Sequence, residues 1–133
     1  SIRFDYAFWH QGSSDVGRDP NAYARNLSQV LRHISLNLKI DKWIIARHSK
    51  CGDSFNQMIS KAQHQVSMNY FARRFPGPDN NKLGDNFRFD GCHLNKAGQE
   101  KMAELWLDSI IQANKIHPSI QKESLLHYFR NLF

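Results

Sequence analysis

The run Asp90-Gly91-Cys92-His93 holds the two side chains that a serine hydrolase needs beside its nucleophile. A hydroxyl nucleophile requires an imidazole to take its proton, and the second imidazole nitrogen requires a carboxylate to hold it. An Asp three positions before a His can make that contact within one turn, without help from the rest of the fold, and Gly91 gives the turn its freedom. Asp-x-x-His also arises by chance, and a loop that caps the following helix is the plainer reading of the same residues. A second run, Trp9-His10-Gln11-Gly12-Ser13-Ser14-Asp15, closes a strand-like segment. Active sites of open parallel sheets gather at the carboxyl ends of strands. There the Gln11 side chain and the Gly12 amide are candidate donors to a developing oxyanion. An ordinary strand-to-helix loop uses such residues too.

The elements that must position these groups can be read from periodicity. Residues 3–9, Arg-Phe-Asp-Tyr-Ala-Phe-Trp, read as a short buried strand rich in aromatics. Asp19 and Pro20 suit the cap and first turn of a helix. Along that helix Tyr23, Leu27, Val30, Leu31, Ile34 and Leu38 fall on one face. Residues 43–46, Trp-Ile-Ile-Ala, read as a second buried strand. The helix after it carries Phe55, Met58, Ile59, Ala62 and Val66 on one stripe, with Asp53 or Ser54 as its cap. The polar stretch from Pro76 to Phe89, with its proline and glycine, reads as a long loop, and loops of that length are often functional. A helix from Lys96 to Ala113 turns Met102, Leu105, Trp106, Ser109 and Ile110 inward, and a last amphipathic helix follows Pro118. Strand–helix–strand–helix order predicts an α/β fold, a parallel sheet with helices on both faces. Two strands are too few for such a sheet, so a partner segment is expected against residues 3–9 and 43–47. The chain opens at Ser1, two residues before a strand-like run, which predicts a processed chain with a segment missing in front.

The order and setting of these motifs resemble one family. Trp9-His10-Gln11-Gly12-x-Ser14-Asp15 resembles the third conserved block of the SGNH (GDSL-type) hydrolases, in the carbohydrate-esterase branch that includes sialate O-acetylesterases. Asp90-Gly91-Cys92-His93-Leu94-Asn95, followed by Gly98 and a helix, resembles the family's last block. Lys61-Ala62-Gln63 resembles the branch's Arg-x-Ala-Gln segment. The resemblance spans about residues 2–111 and leaves a terminal helix, 117–133, outside it. It implies a three-layer α/β/α fold, SGNH- or flavodoxin-like, of which this chain would be the C-terminal part of one domain. It also implies hydrolysis of an ester, typically an acetyl group on a sugar, with His93 as general base, Asp90 as its orienting carboxylate, and Gln11 and Gly12 at the oxyanion hole. The family's nucleophilic serine belongs to a first block that has no counterpart from Ser1 onward, so it would come from an N-terminal segment or a companion chain. Ser13 stands where the branch usually has Glu, and Ser14 where many relatives have Asn.

Gly52-Asp53-Ser54-Phe55 also spells the family's nucleophile motif and would make Ser54 the nucleophile of a self-sufficient esterase. It follows the Gln-Gly block, however, whereas the family's order is the reverse. A degenerate, non-catalytic esterase fold that binds carbohydrate or a partner protein is the alternative from another class.

Composition narrows the remaining classes. The 133 residues make one domain at most, and 41% hydrophobic with 12% aromatic content is that of a globular chain. No apolar stretch is long enough to span a bilayer. The net charge of +6 raises nucleic acid as a partner, but the 18 Lys and Arg are spread from Arg3 to Arg130 with Arg73-Arg74 the only adjacent pair, so none is expected. A solvated basic surface, or a field that draws in anionic substrates, accounts for the charge. His10, His33, His48, His64, His117 and His127 are scattered singly, so no metal site is expected, and the esterase mechanism that the resemblance implies needs no cofactor. Cys51 and Cys92 could lie near each other at the carboxyl edge, and a disulfide is left open. The compartment is open too, with a secreted or periplasmic setting slightly favoured.

Overall fold

The computed structural model describes residues 2–130, with side chains described from 2 to 116. Its elements run β1 (Arg3–Trp9), α1 (Pro20–Asn37), β2 (Lys39–Arg47), α2 (Gln57–Ser67), β3 (Arg74–Asp79) and α3 (Lys96–Arg130). The strands form one parallel sheet in the order β1-β2-β3. Trp9 stands beside Ile45 at one ladder, and Ile44 beside Phe75 at the other. Successive parallel crossovers in one direction place their helices on one face. Accordingly α1 and α2 cover Trp43 and Ile45 with Tyr23, Leu27, Leu31, Ile59, Ala62 and Val66. On the opposite face, α3 covers Ile44 and Phe75 with Ala113 and Trp106, and Ala46 with Met102.

Of the apolar face expected for α1, Tyr23, Leu27 and Leu31 are buried and Ile34 is half-buried, whereas Val30 and Leu38 are exposed and Leu38 lies past the last turn as the C-cap. Asp19 caps α1 by accepting from the Ala22 N–H, and Pro20 occupies its first turn. Met102 is buried on α3, with Leu105, Trp106, Ser109 and Ile110 half-buried beside it. At the C-terminal end, α3 runs through Pro118 to Arg130 as one helix rather than two.

Several expectations are corrected. The expected loop from Pro76 begins as a strand, β3, so the sheet has three strands rather than two. Pro76 and Pro78 are tolerated because β3 is an edge strand, where one row of N–H groups is outside any ladder. Gly77 is required there, since a Cβ would meet the backbone of Ile45 and Ala46 at 2.8–2.9 Å. With β3 in place, residues 43–47 offer no site to a partner: Trp43 to Ala46 are buried in the middle of the sheet. Conversely β1 is not a buried strand. Among the described residues it pairs with β2 alone, and Phe4 and Phe8 are 42% and 49% exposed. Finally, Phe55 and Met58 lie exposed outside the inner stripe of α2, whose cap is Asn56, accepting from Met58 N and Ile59 N, rather than Asp53 or Ser54.

The amino ends of the strands are gathered by Asp41. Its carboxylate takes Arg73 at 2.5 Å, Lys42 at 2.8 Å and Arg3 at 3.2 Å, joining β1 and β2 to the residue that enters β3. Among the described residues no helix is long and apolar enough to cross a membrane.

The fully buried Phe75 joins β3 to α3, so Phe75→Ala should cost about 3–5 kcal/mol of stability, read as a lowered denaturant midpoint. Phe71→Ala, at a side chain 83% exposed, should stay within about 0.5 kcal/mol of the parent. Equal effects at the two positions would contradict the placement of β3.

Candidate active site

The Asp90–His93 turn lies between β3 and α3, and Gly91 enters it with φ of 76°. One oxygen of the Asp90 carboxylate accepts the backbone N–H groups of Cys92 at 2.9 Å and His93 at 2.6 Å. The other oxygen meets His93 Nδ1 at 2.6 Å. The contact expected from the Asp-x-x-His spacing is therefore present, and the carboxylate that orients the ring also holds the turn. Nε2 is left as the nitrogen available for proton transfer. The imidazole hydrogen bond, and then the two backbone donors, pull the Asp90 pKa down to about 2. The His93 ring is 70% exposed and stacks on Phe89 with centroids 5.7 Å apart.

Several anchors fix this turn. Arg88, buried, donates to the Cys92 carbonyl, to Leu83 O at 3.1 Å and to Asn80 O at 2.8 Å. Cys51 and Cys92 form a disulfide across a sequence separation of 41, and Gly52 N–H donates to Gly91 O at 3.0 Å. Thus the loop after β2 is tied covalently to the turn that carries His93. On the far side, Asn95 accepts from Gly98 N–H at 2.9 Å where α3 begins.

Gln11 and Gly12 follow β1. The Gln11 amide donates to Asp15 at 2.5 Å, and its side chain shares a cleft with Trp9, Arg18, Tyr23 and Asn26 on the α1 side of the sheet. Gly12 has φ of 144°, and a Cβ there would come within 2.2 Å of Gln63 Nε2 and 2.4 Å of His48 O. Gln63, marked in the sequence by its Lys-Ala-Gln run, is fully buried. Its Nε2 reaches Gln11 O at 2.6 Å, Tyr23 Oη at 3.0 Å and His48 O at 3.1 Å, while its Oε1 accepts His48 N–H at 2.8 Å. One amide thereby locks the loops after β1 and β2 together.

Ser54 is exposed in a tight turn in which Cys51 and Ser54 exchange backbone hydrogen bonds of 2.9 and 3.0 Å. Its position is three residues before α2 begins, and no hydrogen bond joins its hydroxyl to His93.

Sequence reading passed over four residues that gather at this edge. His10 and His48, each the first residue after its strand, bring their rings to 4.7 Å. Asn80, the first residue after β3, lies against both, and Arg88 lies against Asn80. His10, His48 and Asn80 share one signal, a position immediately past a strand end, which for Asn80 is visible only once β3 is known. Among the described residues no group of three or more His, Cys, Asp or Glu side chains could hold a metal ion.

No protein-family model matches the chain, and no curated protein or solved structure is significantly similar to it.

Denatured, non-reduced protein should show no reactive thiol, and the Cys51→Ser/Cys92→Ser double variant should lose about 2–4 kcal/mol. Asp90 should titrate near pH 2 by carboxyl carbon NMR, below the roughly 3.9 of a free Asp. Because its folded pKa is depressed, its stabilising contribution is complete above the unfolded value and disappears as pH falls through about 2.

Proposed function

We propose that this chain supplies the acid–base pair and the oxyanion loop of an SGNH-type serine esterase that removes acetyl or similar acyl groups from carbohydrate. The observation that carries the reading is the Asp90–His93 hydrogen bond of 2.6 Å. It lies in the segment that leads from β3 to α3 and is tied by the Cys51–Cys92 disulfide to the loop after β2, at the end where parallel sheets place their chemistry. The spaced Trp-His-Gln-Gly and Asp-Gly-Cys-His blocks point the same way.

In this mechanism Asp90 holds Nδ1 of His93, and Nε2 takes the proton of a serine hydroxyl as it attacks the acyl carbonyl. The oxyanion that forms is met by donors of the loop at Gln11 and Gly12. As it collapses the bond to the sugar oxygen breaks and His93 protonates that oxygen, and a water deprotonated by His93 then hydrolyses the acyl-serine ester and frees the acid. Asp90 is suited to its part, since a carboxyl held near a pKa of about 2 stays ionised while the imidazolium forms. No cofactor enters the scheme.

The nucleophile is proposed to come from an N-terminal segment or companion chain that adds a strand to the open edge of β1 and completes a three-layer α/β/α domain. An unpaired strand edge invites such pairing, and the exposed Phe4 and Phe8 beside it supply apolar surface for the neighbour. The disulfide is consistent with an exported setting.

The test is hydrolysis of an acetylated sugar by the chain with and without its upstream segment. Activity is expected only with the segment. There His93→Ala and Asp90→Asn should each lower turnover by about two to four orders of magnitude, while Ser54→Ala leaves it unchanged. Turnover by the isolated chain that vanishes in Ser54→Ala would replace this reading with a self-sufficient esterase.

A further inference from the structure

The carboxyl ends of all three strands meet in one cluster: His10 after β1, His48 after β2 and Asn80 after β3. Asn80 Nδ2 lies 3.3 Å from His10 Nε2 and also in hydrogen-bond contact with His48 Nδ1. From the other side, Arg88 Nη2 stands 3.4 Å from Asn80 Oδ1 and 2.8 Å from the Asn80 carbonyl. A guanidinium has donors only. The amide atom turned toward it must therefore be the oxygen, which leaves the NH2 facing the two imidazoles.

That orientation determines the protons on both rings. The amide NH2 carries two hydrogens, one for each imidazole, and a ring nitrogen that accepts a hydrogen bond carries no proton. His48 is then protonated on Nε2 and His10 on Nδ1, and both are neutral, since a cationic ring would set donor against donor. The surroundings favour the same state. Partial desolvation where its ring packs on His48 and Asn80, then the Arg88 charge, lowers the pKa of His10, although the residue as a whole stays exposed. Burial first, and then the cost of placing a second positive charge beside His10, Arg88 and His93, lowers that of His48 to about 4. His10 is exposed and His48 half-buried, and the edge of Trp106, 6.1 Å from the His10 ring, provides an apolar wall.

We propose that His10 and His48 are a pair of neutral N–H donors, oriented through Asn80 by Arg88, that bind an acyl carbonyl or carboxylate oxygen. Neutral imidazoles polarise a carbonyl without giving up a proton, a role distinct from the proton transfer assigned to His93. The proposal rests on the esterase reading only for the identity of the ligand. The tautomers of the two rings stand on the Asn80 and Arg88 contacts alone.

Long-range 1H–15N correlation NMR of the full, labelled chain at neutral pH reads the tautomers directly. The expected result is His48 protonated at Nε2 and His10 at Nδ1. Asn80→Asp, which puts an acceptor where the amide NH2 was, should move those protons to His48 Nδ1 and His10 Nε2. Sodium acetate, the probe for an acyl or carboxylate oxygen, should shift the His48 Nε2 resonance, and the shift of the His10 Nδ1 resonance should be lost in His48→Phe. A cationic ring or the opposite tautomer in the unmodified chain would overturn the proposal, as would acetate that leaves both resonances in place. Absence of esterase turnover would sink the functional reading without moving any of these signals, so the two failures are distinguishable.

Discussion

A single buried guanidinium organises the carboxyl edge of this sheet. Arg88 is 5% exposed, and its donors go to the carbonyls of Leu83, Asn80 and Cys92 rather than to a carboxylate. Burial lowers its pKa, while Asp85 and Asp90 act in the opposite direction. A charge taken from water without a paired anion is costly unless hydrogen bonds replace its hydration. The carbonyls it satisfies would themselves cost about 1–3 kcal/mol each if left buried and unmatched. Charge and carbonyls therefore require one another. The segment between β3 and α3, which has little regular structure, gains from them a fixed shape. Because Cys92 lies next to His93, that shape decides where the imidazole stands.

The two flanks of the sheet are unlike for related reasons. At β3, two prolines and a glycine in six residues leave an edge with few groups able to extend a ladder, and the strand ends where the chain turns toward Arg88. At β1 no proline interrupts the run, and the aromatics Tyr6 and Phe8 stack along the strand with Phe8 edge-on to Trp106 at 5.1 Å. One edge is closed by its own sequence, and the other is ready to be continued. This asymmetry gives the proposed nucleophile-bearing segment one side on which to add.

What could be read from sequence divides by distance along the chain. Asp90 and His93 are three residues apart, so their contact follows from the geometry of one turn, and α1 and α3 announced themselves through their apolar spacing. The strand β3 was hidden because Pro76, Gly77 and Pro78 are the residues that usually mark a loop. Its stability comes from neighbours: Phe75 against Tyr70 at 5.5 Å, and Arg74 against Ser28 at 3.0 Å. Missing it also misplaced the open edge, since a central strand with one known neighbour looks like an edge. The disulfide could be raised but not decided, because proximity of residues 41 apart is a property of the fold. The His10–His48–Asn80 cluster was out of reach for the same reason, its members coming from three strand ends up to 70 residues apart.

The same side chain is thus given opposite support at two places along one edge. His93 has a carboxylate on Nδ1, ionised to about pH 2, which orients the ring and leaves Nε2 facing outward. His48 has an amide N–H on Nδ1, turned there by a guanidinium, which disfavours positive charge and suits a group that donates a hydrogen bond while staying neutral. Environments that drive like groups apart are how one site separates the transfer of protons from the stabilisation of charge. The two imidazoles differ here in which partner meets each Nδ1, and that is set by two short segments: the Asp90 turn and the Asn80 corner. Arg88 contacts both, through the Cys92 carbonyl and through Asn80, so one cation fixes the two imidazole settings together.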